Sequence, residues 1–158
     1  MLLEFKMKNF KSFKEEIEFK MTPTRIKDLE YSLITKNIKE NEVKALSSAA
    51  IYGPNSSGKT NLIGGMEVFR SIILSGNIMN KENITTPNTA VNNLELIPNV
   101  RSNEKEPVSF YIKFVSQDLM IEYRISIELG NFLEPHYDRK IVEEALNINN
   151  VLIYERTN

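Results

Sequence analysis

The sequence contains no cysteine and a single histidine, His136. Without cysteine the chain can form neither disulfides nor thiolate metal sites, and one histidine is too few for a histidine-rich metal cluster. No apolar run approaches the length of a transmembrane helix, and residues Met1 to Lys6 alternate instead of forming the apolar block of a signal peptide. We therefore expect a cytoplasmic protein with no membrane partner.

An excess of charge of one sign is also lacking. The 20 basic and 21 acidic residues give a net charge of -1, so the composition carries no general signal for nucleic-acid binding, although a local basic patch remains open. The 158 residues are 41% hydrophobic and 26% charged. This composition is typical of a globular domain that is large enough to bury a core.

The most informative stretch is Gly53 to Thr60, which reads G-x-x-x-x-G-K-T, the phosphate-binding loop or Walker A pattern. Such a loop points backbone N–H groups inward, and a helix starting near Gly58 adds its positive N-terminal end. Lys59 would place a point charge on the β and γ phosphates, which makes it the candidate catalytic residue, and the Thr60 hydroxyl suits Mg²⁺ as the metal ligand. The predicted ATP-binding residues are Gly53, Pro54, Asn55, Ser56, Ser57, Gly58, Lys59, Thr60 and Asn61.

The residues on either side of the loop suit this assignment. Ser48 to Tyr52 is a short apolar run that predicts a strand buried on both faces. After the loop, apolar residues recur at helical spacing, which predicts a helix from Gly58 to about Leu74 that ends at Gly76. The residues at this spacing are Leu62, Met66, Phe69 and Ile73. Gly64 and Gly65 inside the helix indicate either close packing against a sheet or a poor helix.

Alternating sequences dominate the rest of the chain. Residues 1–21 predict two antiparallel strands joined by a turn at Asn9 to Lys14, and residues 107–156 predict an antiparallel β meander. We expect a short strand at Tyr31 to Ile34, a surface loop at Asn37 to Asn41, and a long surface excursion over residues 77–106. With the strand, loop and helix of residues 46–76, the predicted fold class is α/β with α+β character.

Two motifs carry a resemblance to a known group of proteins. The variant Gly-Pro-Asn-Ser-Ser-Gly-Lys-Thr at Gly53 to Thr60, and the opening strand that ends in Asn9-Phe10-Lys11-Ser12-Phe13, resemble the SMC, RecF and ABC-type ATPases. The later strands are similar to bacterial AAA proteins near the OLD family, many of which belong to phage-defence systems. The resemblance implies that residues 1–158 are the N-terminal lobe of an ABC-type P-loop NTPase head.

The same resemblance implies further contacts and partners. It makes Asn9, Lys11 and Ser12 candidates for contact with the nucleotide, whereas the residues alone indicate a tight turn with Phe10 and Phe13 in the core. It also implies ATP and Mg²⁺ as cofactors, a homodimer that holds ATP between two heads, and a DNA or nuclease partner.

Several groups needed for hydrolysis have no convincing counterpart in the sequence. A hydrolysing head requires an acidic residue on a second buried strand and a group that orients water. Ile141-Val142-Glu143-Glu144 is the nearest match to such a strand, but it falls in the meander and reads as an exposed face. Leu74 to Gly76 resembles the start of an ABC signature, but it lies at the end of a predicted helix and not at the beginning of one. Gln117 is the candidate for a Q-loop, but it falls in a predicted turn. His136 is the candidate for a switch histidine, but it follows no acidic strand.

We therefore expect this chain alone not to hydrolyse ATP, with hydrolysis belonging to a larger head. Two other functions stay open from the sequence. One is a small P-loop phosphotransferase such as a kinase, although a strand pair precedes the loop here. The other is a nucleotide-binding interaction module without turnover. The sequence identifies neither the partner nuclease, nor the form of DNA, nor the biological trigger.

Overall fold

A computed structural model describes residues 1–24, 30–79, 96–102, 106–130 and 137–158. A short 3-10 helix, Glu30–Ser32, precedes the third strand. The other elements are β1 (Leu2–Lys8), β2 (Ile17–Lys20), β3 (Leu33–Ile38), β4 (Asn41–Leu46), α1 (Lys59–Ser75), β5 (Val108–Ser116), β6 (Leu119–Glu128), β7 (Lys140–Ile148) and β8 (Val151–Thr157). His136 and the predicted turn residue Asn131 lie outside the described residues.

A six-stranded antiparallel sheet forms most of the molecule. Its strand order is β2-β1-β5-β6-β7-β8, and every neighbouring pair is antiparallel. The alternation in β1 buries Leu3, Phe5 and Met7 and leaves the residues between them partly in solvent, as expected for a sheet with one wet face. The result is a mixed α/β chain in which an antiparallel sheet dominates.

Helix α1 covers part of the apolar face of this sheet. Phe69 of α1 contacts both Phe5 and Phe110, with ring centroids 5.9 and 5.7 Å apart. The buried face of α1 also contains Leu62, Val68 and Ile72, whereas Ile73 is 48% exposed. Ile73, although it shares the helical spacing, therefore lies outside the buried face, because the helix presents the neighbouring row of side chains to the sheet.

The prediction of a surface loop at Asn37 to Asn41 is only partly right, because just Lys39 and Glu40 lie outside the strands. These residues form the end of β3, a two-residue turn at Lys39 and Glu40, and the start of β4. Ile38 is buried with Leu3 and Ala45 in a second small core. Thr35, Lys36 and Asn37 are consecutive in β3 and all exposed, so the sequence of this hairpin carries only a weak alternating signal.

The predicted strand at Ser48 to Tyr52 does not form among the described residues. Every residue of this segment is exposed, and Tyr52 keeps 90% of its surface accessible. A strand buried on both faces needs hydrogen-bonding neighbours as well as apolar residues. All strands described for this chain pair with partners in two antiparallel sheets, so no described strand pairs with this segment.

The predicted surface excursion over residues 77–106 is also partly wrong. Leu96 and Asn99 are 3% and 6% exposed, and Pro98 forms an isolated β-bridge with Phe10. Residues 80–95 and 103–105 lie outside the described part of the chain. Residues 96–99 therefore pack beside the turn that joins β1 and β2, whereas Val100 and Arg101 are exposed.

An apolar groove of about 1020 Å³ remains between α1 and strands β1, β5, β6 and β7 of the large sheet. Its walls include Met66 and Ile73 of α1 and Phe114, Tyr123 and Leu146 of the sheet. The helix thus covers only part of the apolar face.

Among the residues described, no helix is long and apolar enough to cross a membrane.

Candidate nucleotide-binding site

The loop from Gly53 to Gly58 leads directly into α1. The N–H of Ser57 donates a hydrogen bond to the carbonyl oxygen of Pro54 at 3.3 Å, which closes a turn. Ser56 has a φ of 65° and Gly58 a φ of 92°, so two residues of the loop adopt left-handed backbone conformations. The N–H of Leu62 then donates to the Gly58 carbonyl at 3.0 Å. Gly58 is therefore the N-cap, and the loop ends where the helix begins.

Lys59, the first residue of α1, folds back over this loop. Its Nζ donates to the carbonyl oxygens of Gly53 at 2.7 Å and Pro54 at 2.6 Å, and lies 3.4 Å from Ser57 Oγ. The ammonium group therefore links the start of the loop to the first residue of α1. It lies beside the N-terminal end of the helix, where the helix dipole favours anions.

Gly58 has two reasons to be glycine. Its φ of 92° is a backbone conformation that residues with a Cβ rarely adopt. A Cβ at this position would also lie 2.4 Å from Cζ of Phe13. The ring of Phe13 thus lies directly against the start of α1, a contact for which the sequence gave no separate signal beyond an apolar residue in a turn.

Ser12 is joined to the loop region by its side chain. Nδ2 of Asn61, on the first turn of α1, donates a hydrogen bond to Ser12 Oγ at 2.7 Å. Both residues were predicted to be near the nucleotide, and the fold brings them together. Whether either touches the nucleotide stays a prediction.

Asn9 and Lys11, the other two candidates from the turn between β1 and β2, have different surroundings. Lys11 Nζ lies 5.7 Å from the centre of the Phe10 ring, and its backbone bonds to residues 97 and 99. Asn9 is fully buried, and its Nδ2 donates to Ser102 Oγ at 2.8 Å and to the Glu106 carbonyl at 2.7 Å. These contacts give Asn9 a structural role that fixes the neighbouring segment.

Thr60 is exposed in the first turn of α1, on the same helix end as Lys59. In the part of the chain that the structure describes, no group of three or more Asp, Glu or His side chains is placed to hold a metal. The role of the Thr60 hydroxyl as the ligand of a Mg²⁺ that keeps most of its waters stays a prediction.

The motifs judged unsuitable for hydrolysis have structural contacts. Gly76 is the left-handed C-cap of α1, and Gln117 lies in the turn between β5 and β6. Glu143 forms an ion pair with Arg124, and Glu144 forms one with Arg156. These carboxylates belong to the ion-pair network that joins β6, β7 and β8.

A glycine-flanked loop that ends at a helix N-terminus, with an inward lysine and a following threonine, defines a P-loop ATPase domain. Comparison with known proteins agrees. A family model described as "AAA domain, putative AbiEii toxin, Type IV TA system" matches residues 48–147, and the chain belongs to this family. Proteins of this AAA family are P-loop ATPases that bind nucleotide and generally use ATP and Mg²⁺. No curated protein matches the chain.

Proposed function

We propose that this chain binds Mg·ATP through residues Gly53 to Asn61. The position of Lys59 Nζ supports this proposal most directly, because the atom lies 2.7 and 2.6 Å from two loop carbonyl oxygens beside the N-terminus of α1. Phosphate oxygens would replace these carbonyls as partners of the ammonium, and the N–H groups at the helix end would bind them as well. Thr60 would hold Mg²⁺ through its hydroxyl.

We further propose that residues 1–158 form the N-terminal lobe of an ABC-type head related to the SMC, RecF and OLD proteins. The exposed apolar segment Ser48 to Tyr52 and the open groove beside α1 support this proposal, because both offer surfaces that further strands and helices would bury. In this proposal the complete head dimerises around ATP.

The biological setting is proposed on the family alone. The family description names a toxin and a Type IV TA system, which is compatible with a role in phage defence or another DNA-associated process. A DNA or nuclease partner and a cytoplasmic location complete the proposal.

The test of ATP binding is a calorimetric titration with Mg·ATP. Lys59→Ala removes a charged hydrogen-bond donor, which is worth about 1.5–3 kcal/mol, so we expect the affinity to fall by about 10- to 150-fold. Thr60→Ala should weaken binding in Mg²⁺ and have little effect in EDTA. Lys36→Ala, which removes the same charge from an exposed position on β3, is the matched control and should bind like wild type. Equal affinity of Lys59→Ala and wild type would overturn the proposal.

A further inference from the structure

The turn between β1 and β2 contacts the start of α1 at two points. Ser12 Oγ accepts the 2.7 Å hydrogen bond from Asn61, and the Phe13 ring occupies the space that a Cβ of Gly58 would need. One contact is polar and directional, and the other is a tight van der Waals contact. Together they constrain both the last residue of the loop and the first turn of the helix.

The turn itself is firmly held in the fold. Phe10 is completely buried and meets Phe110 with ring centroids 5.6 Å apart. The N–H of Phe13 donates to the Phe10 carbonyl at 2.9 Å, and Asn99 Nδ2 donates to the Lys11 carbonyl at 2.6 Å. Buried polar groups that are fully bonded fix a unique local arrangement. The turn is therefore a stable support against which α1 can be oriented.

We propose that Ser12 is a positioning residue for nucleotide binding and acts through Asn61. This inference rests on the proposed function of the loop. The first N–H groups of α1 have no intrahelical partner and must point at the phosphates to bind them. The Ser12–Asn61 hydrogen bond, with Phe13 against Gly58, holds these groups in the binding orientation before the nucleotide arrives, which reduces the ordering cost of binding.

Direct contact between Ser12 and the nucleotide is the competing role, and it makes a different prediction. A positioning residue acts through its partner, so removing both side chains should lower the affinity for ATP no more than removing one. If Ser12 contacts the nucleotide directly, Ser12→Ala should lower the affinity by the same factor whether or not the Asn61 side chain is present. A double-mutant cycle separates the two roles.

The experiment measures Mg·ATP affinity of the whole 158-residue chain and of Ser12→Ala, Asn61→Ala and the double variant. We expect each single variant to bind about 3- to 10-fold more weakly, as for the loss of one hydrogen bond, and the double variant to match the weaker single variant. Ser12→Thr keeps the hydroxyl and should stay within about twofold of wild type. Ser75→Ala removes a comparable bond to the Ser71 carbonyl at the far end of α1 and is the matched control.

The outcomes separate this inference from the proposed function. If wild type binds ATP and Lys59→Ala does not, while Ser12→Ala binds like wild type, only the positioning role is overturned. It is also overturned if the losses of Ser12→Ala and Asn61→Ala multiply in the double variant, or if Ser12→Thr fails to restore affinity. If wild type does not bind ATP at all, the proposed function and the inference fall together. Far-ultraviolet circular dichroism verifies that each variant is folded.

Discussion

Two adjacent glycines in α1 have opposite surroundings. A Cβ at Gly65 would lie 2.4 Å from Sδ of the buried Met7, whereas a Cβ at Gly64 would meet no atom within 4 Å. The sequence left open whether these glycines allow close packing or only weaken the helix. The structure assigns close packing to Gly65 and leaves Gly64 without such a role.

This difference predicts opposite effects of the same substitution. Gly65→Ala should lower the free energy of unfolding by about 1–3 kcal/mol, because Met7 has to move within a packed core. Gly64→Ala should raise it by up to about 1 kcal/mol through helix propensity. Urea unfolding of the two variants measures both effects, with Gly64→Ala as the matched control. Equal stability of the two variants would contradict the assigned packing.

At the scale of elements, strand β8 is an exposed edge of the large sheet. Val151, Leu152 and Ile153 are each more than half exposed, and they lie consecutively on an edge strand. Exposed apolar edges with free backbone groups promote pairing between chains, and natural edges often carry lysine to prevent it.

We therefore expect the isolated 158-residue chain to self-associate through β8. Ile153→Lys should shift the chain toward monomer, as measured by sedimentation equilibrium over a range of concentrations. Ile63→Lys adds the same charge at a half-exposed position on α1 and should change the association little. If both variants shift the equilibrium equally, the contact lies elsewhere.

The elements also show where sequence patterns succeed. Strands β5 and β6 lie where apolar and polar residues alternate. Helix α1 is capped by Gly58 and Gly76, which both adopt left-handed conformations. The predictions fail where contacts with residues distant in sequence determine the structure. Ser48 to Tyr52 has the composition of a buried strand without a described neighbour, and Ile38 is buried by residues that are distant in sequence.

At the scale of the whole molecule, the loop motif could be predicted from sequence, but the contacts that hold the loop in place could not. The pattern of Gly53 to Thr60 identifies phosphate-binding groups because each residue type has a chemical role. The contacts of Phe13 with Gly58 and of Ser12 with Asn61 depend on how the first turn docks on α1. No local pattern encodes that docking, and the roles of Asn9, Lys11 and Ser12 were therefore open.

The central claim is that this chain supplies phosphate binding to an ATP site and that hydrolysis needs further groups. Positioning of water and stabilisation of charge in the transition state each contribute orders of magnitude in rate. Lys59 and Thr60 alone supply neither a water-orienting group nor an acidic metal ligand. Binding without turnover is the expected behaviour of the isolated chain.

Phosphate release by the purified 158-residue chain in Mg·ATP tests this claim most directly. The account predicts ATP binding in the same sample, with phosphate release no faster than that of Lys59→Ala. Release at about 1 per second or more, abolished by Lys59→Ala, would show that the chain carries a complete hydrolytic site and would contradict the account.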